Sequence, residues 1–259
     1  MGRADGCYWE FSVEGVEFPI YTDEIPYLST EQMVEVDRAM VEDYGIALIQ
    51  MMENAGRNLA HLARSRFLEG DPRYKSVTVM AGRGGNGGGA LVCARRLHNW
   101  GTQVLVCLAK PEEDFSGVPA HQLDILRKMG VQIEPPATAI GGSVPDLVLD
   151  GIIGYSLDGD PRGAAGNLID WANGQDAPVL ALDTPSGVDA STGTIYDPAI
   201  AATATMTLAL PKEGLRATRV EEQMGELYLA DISVPPGLYK GLGLEVGPIF
   251  AGGDVVRLL

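Results

Sequence analysis

From residue 76 onward, short apolar runs alternate with stretches of helical spacing, and this alternation restricts the fold more than any other feature. The runs fall at 76–81, 103–109, 131–134, 146–153, 178–182, 203–210 and 226–232. Most are nearly continuous in Val, Leu, Ile, Met and Ala, the pattern of strands covered on both faces. Between them, 88–99, 118–129 and 164–173 carry helical spacing. Strands joined through helices make an α/β fold with a mostly parallel central sheet. Upstream, Ser29 and Gln32 have capping-box spacing, and Met33, Val36, Met40 and Val41 continue as a helix up to Gly45. A longer helix is expected over 46–67, closed by the turn sequence at 69–72. Residues 1–27 are acidic, aromatic and irregular and read as an N-terminal arm; 28–259 read as a single domain.

The chain of 259 residues carries 19 Lys and Arg against 35 Asp and Glu, a net charge of 19 − 35 = −16. That balance argues against nucleic acid or an anionic membrane as partner, because both need clustered cations. No apolar stretch reaches the length of a membrane span or a signal peptide. Cys7, Cys93 and Cys107 have no CxxC spacing and read as reduced thiols. The expected location is cytoplasmic. His61, His98 and His121 form no metal-ligand or triad spacing, which argues against zinc or Ser-His-Asp chemistry.

In sheets of this kind ligands bind at the carboxyl ends of strands, and three strand-end loops carry candidate chemistry. The first, Gly82-Arg83-Gly84-Gly85-Asn86-Gly87-Gly88-Gly89, opens a helix, so uncovered backbone N–H groups and a helix N-terminus offer a phosphate cradle. It lacks the lysine of a P-loop, and the next strand ends at Lys110 instead of a ribose-binding acid. The second loop follows Asp150, a carboxylate inside an apolar run that requires a partner or a cation. Beyond it, Asp158, Asp160 and Arg162 read equally as a solvated turn or as ligand contacts. The third loop, 182–189, carries Asp183, where partial burial would lift a carboxyl toward working pH and suit it to acid–base chemistry; a turn-forming or helix-capping Asp is the alternative. Ser186 has no base nearby in sequence and suits cation coordination better than nucleophilic attack.

Together these stretches resemble the NAD(P)H-hydrate epimerases, the YjeF N-terminal domain family. The resemblance rests on MMENAGR (51–57), AGRGGNGGGALVCARRL (81–97), DGIIGYSLDGDPRG (150–163), ALDTPSGVDASTG (181–193), LALPKEGL (208–215) and ADISVPP (230–236), in family order over roughly 28–236. It implies a three-layer α/β/α Rossmann-like fold, a homodimer, and interconversion of the R and S epimers of hydrated NADH or NADPH. A separate dehydratase would consume the S form. No dehydratase domain fused to this chain is expected.

Carried over by position, the resemblance implies potassium ligation by Asn86, Asp150 and Ser186. It implies substrate contacts from Gly85, Asn86, Gly87, Gly88 and Gly89, from Gly154, Tyr155, Ser156, Leu157, Asp158, Gly159 and Asp160, and from Asp183. Asp183 is the implied catalytic acid, and Lys212 is placed near the site as a second catalytic residue. The glycine loop departs from the family pattern AGPGNNGGDGLV, with Arg83 for Pro, Gly85 for the first Asn, Gly89 for Asp and Ala90 for Gly. Two polar contacts are thereby lost. The alternative reading is a nucleotide-binding or scaffold domain of the same fold with altered catalysis.

Overall fold

The computed structural model describes residues 18–136 and 144–259; Cys7 and residues 1–17 of the expected arm lie outside them. Nine strands form one sheet: β1 (Ile20–Tyr21), β2 (Ser76–Ala81), β3 (Gln103–Leu108), β4 (Gln132–Glu134), β5 (Leu147–Gly151), β6 (Val179–Leu182), β7 (Ala204–Leu208), β8 (Glu226–Ala230) and β9 (Val255–Leu258). The order is β1-β9-β8-β7-β6-β5-β2-β3-β4. Every pairing is parallel except β8 with β9.

The seven expected strands are present, the first over its full expected range and the other six shortened at their ends. β1 and β9 extend the sheet at one edge, with Ile20 opposite Arg257 and Tyr21 opposite Leu258. Thus residues 18–27, part of the expected arm, contribute an edge strand.

The helices are α1 (Thr30–Glu42), α2 (Leu48–Leu62), α3 (Gly85–Asn99), α4 (Gly117–Lys128), α5 (Ala164–Asn173) and the short α6 (Glu221–Met224) and α7 (Pro236–Gly241). The capping box of α1 forms as read: Ser29 Oγ accepts from the Gln32 N–H at 3.2 Å, and Gln32 Oε1 accepts from the Ser29 N–H at 2.9 Å. α2 passes into a single π-helical turn at Ala63–Phe67. One face of the sheet buries Val79, Val106 and Leu149 under Leu59, Leu91 and Leu126 of α2, α3 and α4. The opposite face buries Met80 and Val148 under Leu168 and Ile169 of α5. The sheet is therefore the middle of three layers.

From β2 the chain builds outward through β3 and β4, then returns to lay β5 on the other side of β2 and proceeds to β6, β7 and β8. The direction reverses between β2 and β5, and a crevice opens at the strand ends at such a point. Two close approaches seat the glycine loop there. The Gly82 N–H donates to the Gly151 carbonyl at 3.0 Å. A Cβ on Gly82 would lie 1.9 Å from the Ile152 carbonyl oxygen, and one on Gly87 would lie 1.6 Å from the Gly82 carbonyl oxygen. Only glycine fits either position.

Candidate active site

A cavity of about 650 Å³ opens over the carboxyl ends of β2, β5 and β6. Gly82–Asn86 of the first loop, Ile152–Arg162 of the second, and Leu182 and Asp183 of the third line it. α1 and α2 close another side with Met33, Asp37, Met51, Met52 and Ala55. The expected contact residues Gly85, Asn86, Gly154, Tyr155, Ser156, Leu157, Asp158, Gly159, Asp160 and Asp183 all face this space.

Gly87, Gly88 and Gly89 do not line it. α3 starts at Gly85, earlier than its spacing suggests, so these three glycines are helical residues packed on neighbours. A Cβ at Gly88 would meet Met52 at 2.5 Å, and one at Gly89 would meet Leu182 at 2.9 Å. Their small size serves close packing of α3 on α2 and β6.

Asp183 is buried and takes a left-handed backbone conformation, φ 68°, unusual outside glycine. Its N–H donates to the Met206 carbonyl at 2.7 Å, which fixes the residue against the end of β7. Oδ1 is in contact with the Lys212 ammonium and accepts from the Leu208 N–H at 3.3 Å and the Thr207 hydroxyl at 3.4 Å. Oδ2 has no hydrogen-bond partner among the described residues, which leaves it as the oxygen open to a ligand.

Lys212 is fully buried, the largest such side chain among the described residues. Its ammonium also donates to the Leu208 carbonyl at 2.9 Å. Its backbone is held from outside the sheet, where the Leu28 N–H donates to the Pro211 carbonyl at 2.8 Å and the Glu213 N–H donates to the Leu28 carbonyl at 3.0 Å. A buried ammonium survives only beside a counter-charge and acceptors, and Asp183 supplies the charge.

Behind the cavity wall lies a second polar cluster. Asp150 is fully buried at the end of β5; Oδ1 accepts from the Ser186 hydroxyl at 2.6 Å and the Ile152 N–H at 3.2 Å, and Oδ2 accepts from the Ser186 N–H at 2.8 Å. Burial outweighs these bonds and raises its pKa to about 6. Ser186 Oγ also accepts from the Ile153 N–H at 2.9 Å, tying the second loop to the third. The Asn86 amide donates to the Leu182 carbonyl at 2.7 Å, and its Oδ1 has no donor among the described residues.

Asp37 was not legible as a site residue. It projects from α1 into the cavity, where its Oδ2 accepts from the Tyr155 hydroxyl at 2.6 Å. Burial raises its carboxyl above the usual range; the bond from Tyr155 and the Lys212 charge oppose that rise, and the Asp183 charge adds to it. Burial, with Asp37 beside it, likewise raises the Tyr155 hydroxyl. The readable signal was a carboxylate four residues after Met33 and three before Met40, on the apolar stripe of α1. Cys93 and Cys107 are buried free thiols. Burial pushes Cys107 up to about 12 and raises Cys93 as well, so neither is a reactive thiolate.

The family described as "YjeF-related protein N-terminus" matches residues 48–214. This chain belongs to that family. It is 42% identical over 228 residues to the NAD(P)H-hydrate epimerase of Dehalogenimonas lykanthroporepellens, covering 87% of this chain and 90% of the relative. It is 35% identical over 220 residues to the bifunctional NAD(P)H-hydrate repair enzyme Nnr of Moorella thermoacetica, covering 82% of this chain and 41% of that longer protein. The fold matches the crystal structure of yeast ynu0 with a TM-score of 0.76 and 24% identity, covering 90% of this chain and all of that one. Among the described residues no helix is long and apolar enough to cross a membrane.

Proposed function

We infer that this chain is an NAD(P)H-hydrate epimerase, an isomerase that interconverts the R and S forms of hydrated NADH and NADPH. The observation that carries the chemistry is the Asp183–Lys212 pair at the cavity wall, with Oδ2 of Asp183 unengaged. A hydrated nicotinamide ring bears a hydroxyl on a carbon next to the ring nitrogen. As general acid, Asp183 gives a proton from Oδ2 to that hydroxyl, and the C–O bond breaks as the nitrogen lone pair forms a C=N bond. Water leaves; water then adds to the opposite face and returns its extra proton to Oδ2. Lys212 keeps the carboxylate charge matched through the cycle. The dinucleotide is the substrate, so no redox equivalent is consumed.

Asn86 Oδ1, the Asp150 carboxylate and Ser186 Oγ are hard oxygen donors with one negative charge among them. That set suits a monovalent cation, and these residues would hold potassium. A bound potassium would offset the Asp150 charge and order the second and third loops. The reading also takes 28–259 as one catalytic domain with 1–27 as its arm, active as a homodimer, with a separate dehydratase as functional partner. Light scattering on the eluted protein tests the dimer.

The direct assay supplies mixed hydrate epimers to an S-specific dehydratase. Adding this protein is expected to convert the R form as well; an unchanged residue of R hydrate refutes the activity. Asp183→Asn is expected to abolish turnover, and a thermal melt checks that the variant is folded. Turnover near the wild-type rate would remove Asp183 from the mechanism. The altered glycine loop does not favour a dead scaffold: Leu182 occupies the space beside Gly89, and Gly85 borders the open cavity, so neither departure leaves an apolar void.

A further inference from the structure

Cations are scarce in this acidic chain, and most of those described are matched to an acid, an acceptor or an aromatic ring. Among the described residues four Lys or Arg side chains have no hydrogen bond, ion pair or ring contact: Arg83, Lys110, Arg162 and Lys240. Three of the four line the same cavity. They come from three separate strand-end segments, Arg83 after β2, Lys110 after β3 and Arg162 before α5. Asp158 and Asp160 share the lip with Arg162 but accept nothing from it; Asp160 instead accepts from the Asp197 N–H at 3.4 Å. With 35 acids in the chain, three unmatched cations around one opening call for an anion from outside.

Their position relative to Asp183 restricts that anion further. Along the sheet, β6, β5, β2 and β3 are consecutive neighbours. Three strand spacings, roughly 14 Å, separate the end of β6, where Asp183 sits, from the end of β3, where Lys110 sits. The N-terminus of α3 opens between them and adds partial positive charge.

We propose that Arg83, Lys110 and Arg162 form a phosphate subsite at the β3 end of the cavity. It receives a phosphate of the dinucleotide remote from the reacting ring, which lies at the β6 end. The proposal rests on the epimerase reading for the identity of the ligand, but the phosphate chemistry stands on the cations alone. Two sources are available: the diphosphate bridge, common to both dinucleotides, and the 2′-phosphate, present only in NADPH hydrate. The diphosphate would give equal use of both hydrates, and the 2′-phosphate a preference for the phosphorylated one.

Titration calorimetry with ADP and with 2′-AMP tests this without turnover. Single Arg83→Ala, Lys110→Ala and Arg162→Ala variants are expected to weaken binding by roughly 3- to 10-fold each, and the triple variant by roughly 100-fold. Wild-type binding is expected to weaken as ionic strength rises. Lys240→Ala, which removes the fourth unmatched cation outside the cavity, serves as the charge control and should bind as wild type. Thermal melts confirm that each variant is folded. A loss confined to 2′-AMP assigns the 2′-phosphate; a loss confined to ADP assigns the diphosphate; both support the subsite. Wild-type affinity for both probes in the triple variant overturns it, as does an equal loss in Lys240→Ala or failure of the wild type to bind either probe. Intact phosphate binding in a protein that does not epimerise hydrate refutes the functional reading and leaves the subsite standing.

Discussion

The two glycines that replace family side chains in the first loop sit in different surroundings. At Gly85 a Cβ meets nothing within 4 Å, and the residue is the first of α3, so Gly85→Asn is expected to leave the melting temperature unchanged or slightly raised. Its amide would reach into the cavity, and a lower KM for hydrate is the expected kinetic effect. At Gly89 the Cβ would lie 2.9 Å from a Leu182 methyl, inside the packed contact of α3 with β6. Gly89→Asp therefore crowds Leu182 and places a carboxylate against an apolar side chain, at a cost of about 2 kcal/mol. Denaturant melts check the value, and Leu182→Ala in the same chain should recover part of it by removing the clash. Equal stability of Gly89→Asp and wild type would contradict the packing role given to Gly89.

Between elements, the 2.6 Å hydrogen bond from Tyr155 to Asp37 joins α1 to the second loop. α1 is otherwise anchored by Met33, Val36 and Met40 in the core around α7, so Asp37 is a fixed post to which the loop is tied. Tyr155→Phe and Asp37→Ala are each expected to raise KM about tenfold with a smaller change in kcat, the range for losing a charged hydrogen bond. The double variant should lose little more than either single one, since both remove the same tie. Fully additive losses would mean the two residues act separately.

The sequence patterns reveal elements better than ties of this kind. Continuous apolar runs announced β2, β3, β5 and β6, because strands buried on both faces have no polar alternation to disguise them. β1 has two residues, and β9 has four residues broken by Arg257, so neither has a period to detect. The start of α3 was hidden because glycine has poor helix propensity, and packing on Met52 and Leu182 overrides it. Asp150 and Asp183 stood out as carboxylates ending apolar strands. The contact between Asp183 and Lys212 joins residues from different strand ends, and residue types alone did not pair them. Arg83, Lys110 and Arg162 converge only through strand order.

Over the whole molecule, the carboxyl edge of the sheet is stitched across β5 and β6 by one buried acid, with Asn86 of α3 tied in beside it. Asp150 ends β5, Ser186 follows β6, Ser186 Oγ holds the second loop through Ile153, and Asn86 of α3 reaches the end of β6. Global stability should therefore report the charge state of Asp150. Burial raises its pKa from 3.8 to about 6, so the folded chain favours the protonated form. Without a cation, the stability Asp150 contributes is complete below its unfolded value and is lost as pH rises through about 6. Potassium held as proposed would bind the ionised form, and so would offset that loss above pH 6 and do little below it. The expected result is a rise in melting temperature in potassium chloride over tetraethylammonium chloride that is clear at pH 8 and small at pH 5. In Asp150→Asn the potassium-dependent rise should vanish at both pH values. An equal rise at pH 5 and pH 8 in the wild type, or a rise surviving in Asp150→Asn, would place the cation elsewhere than at Asp150.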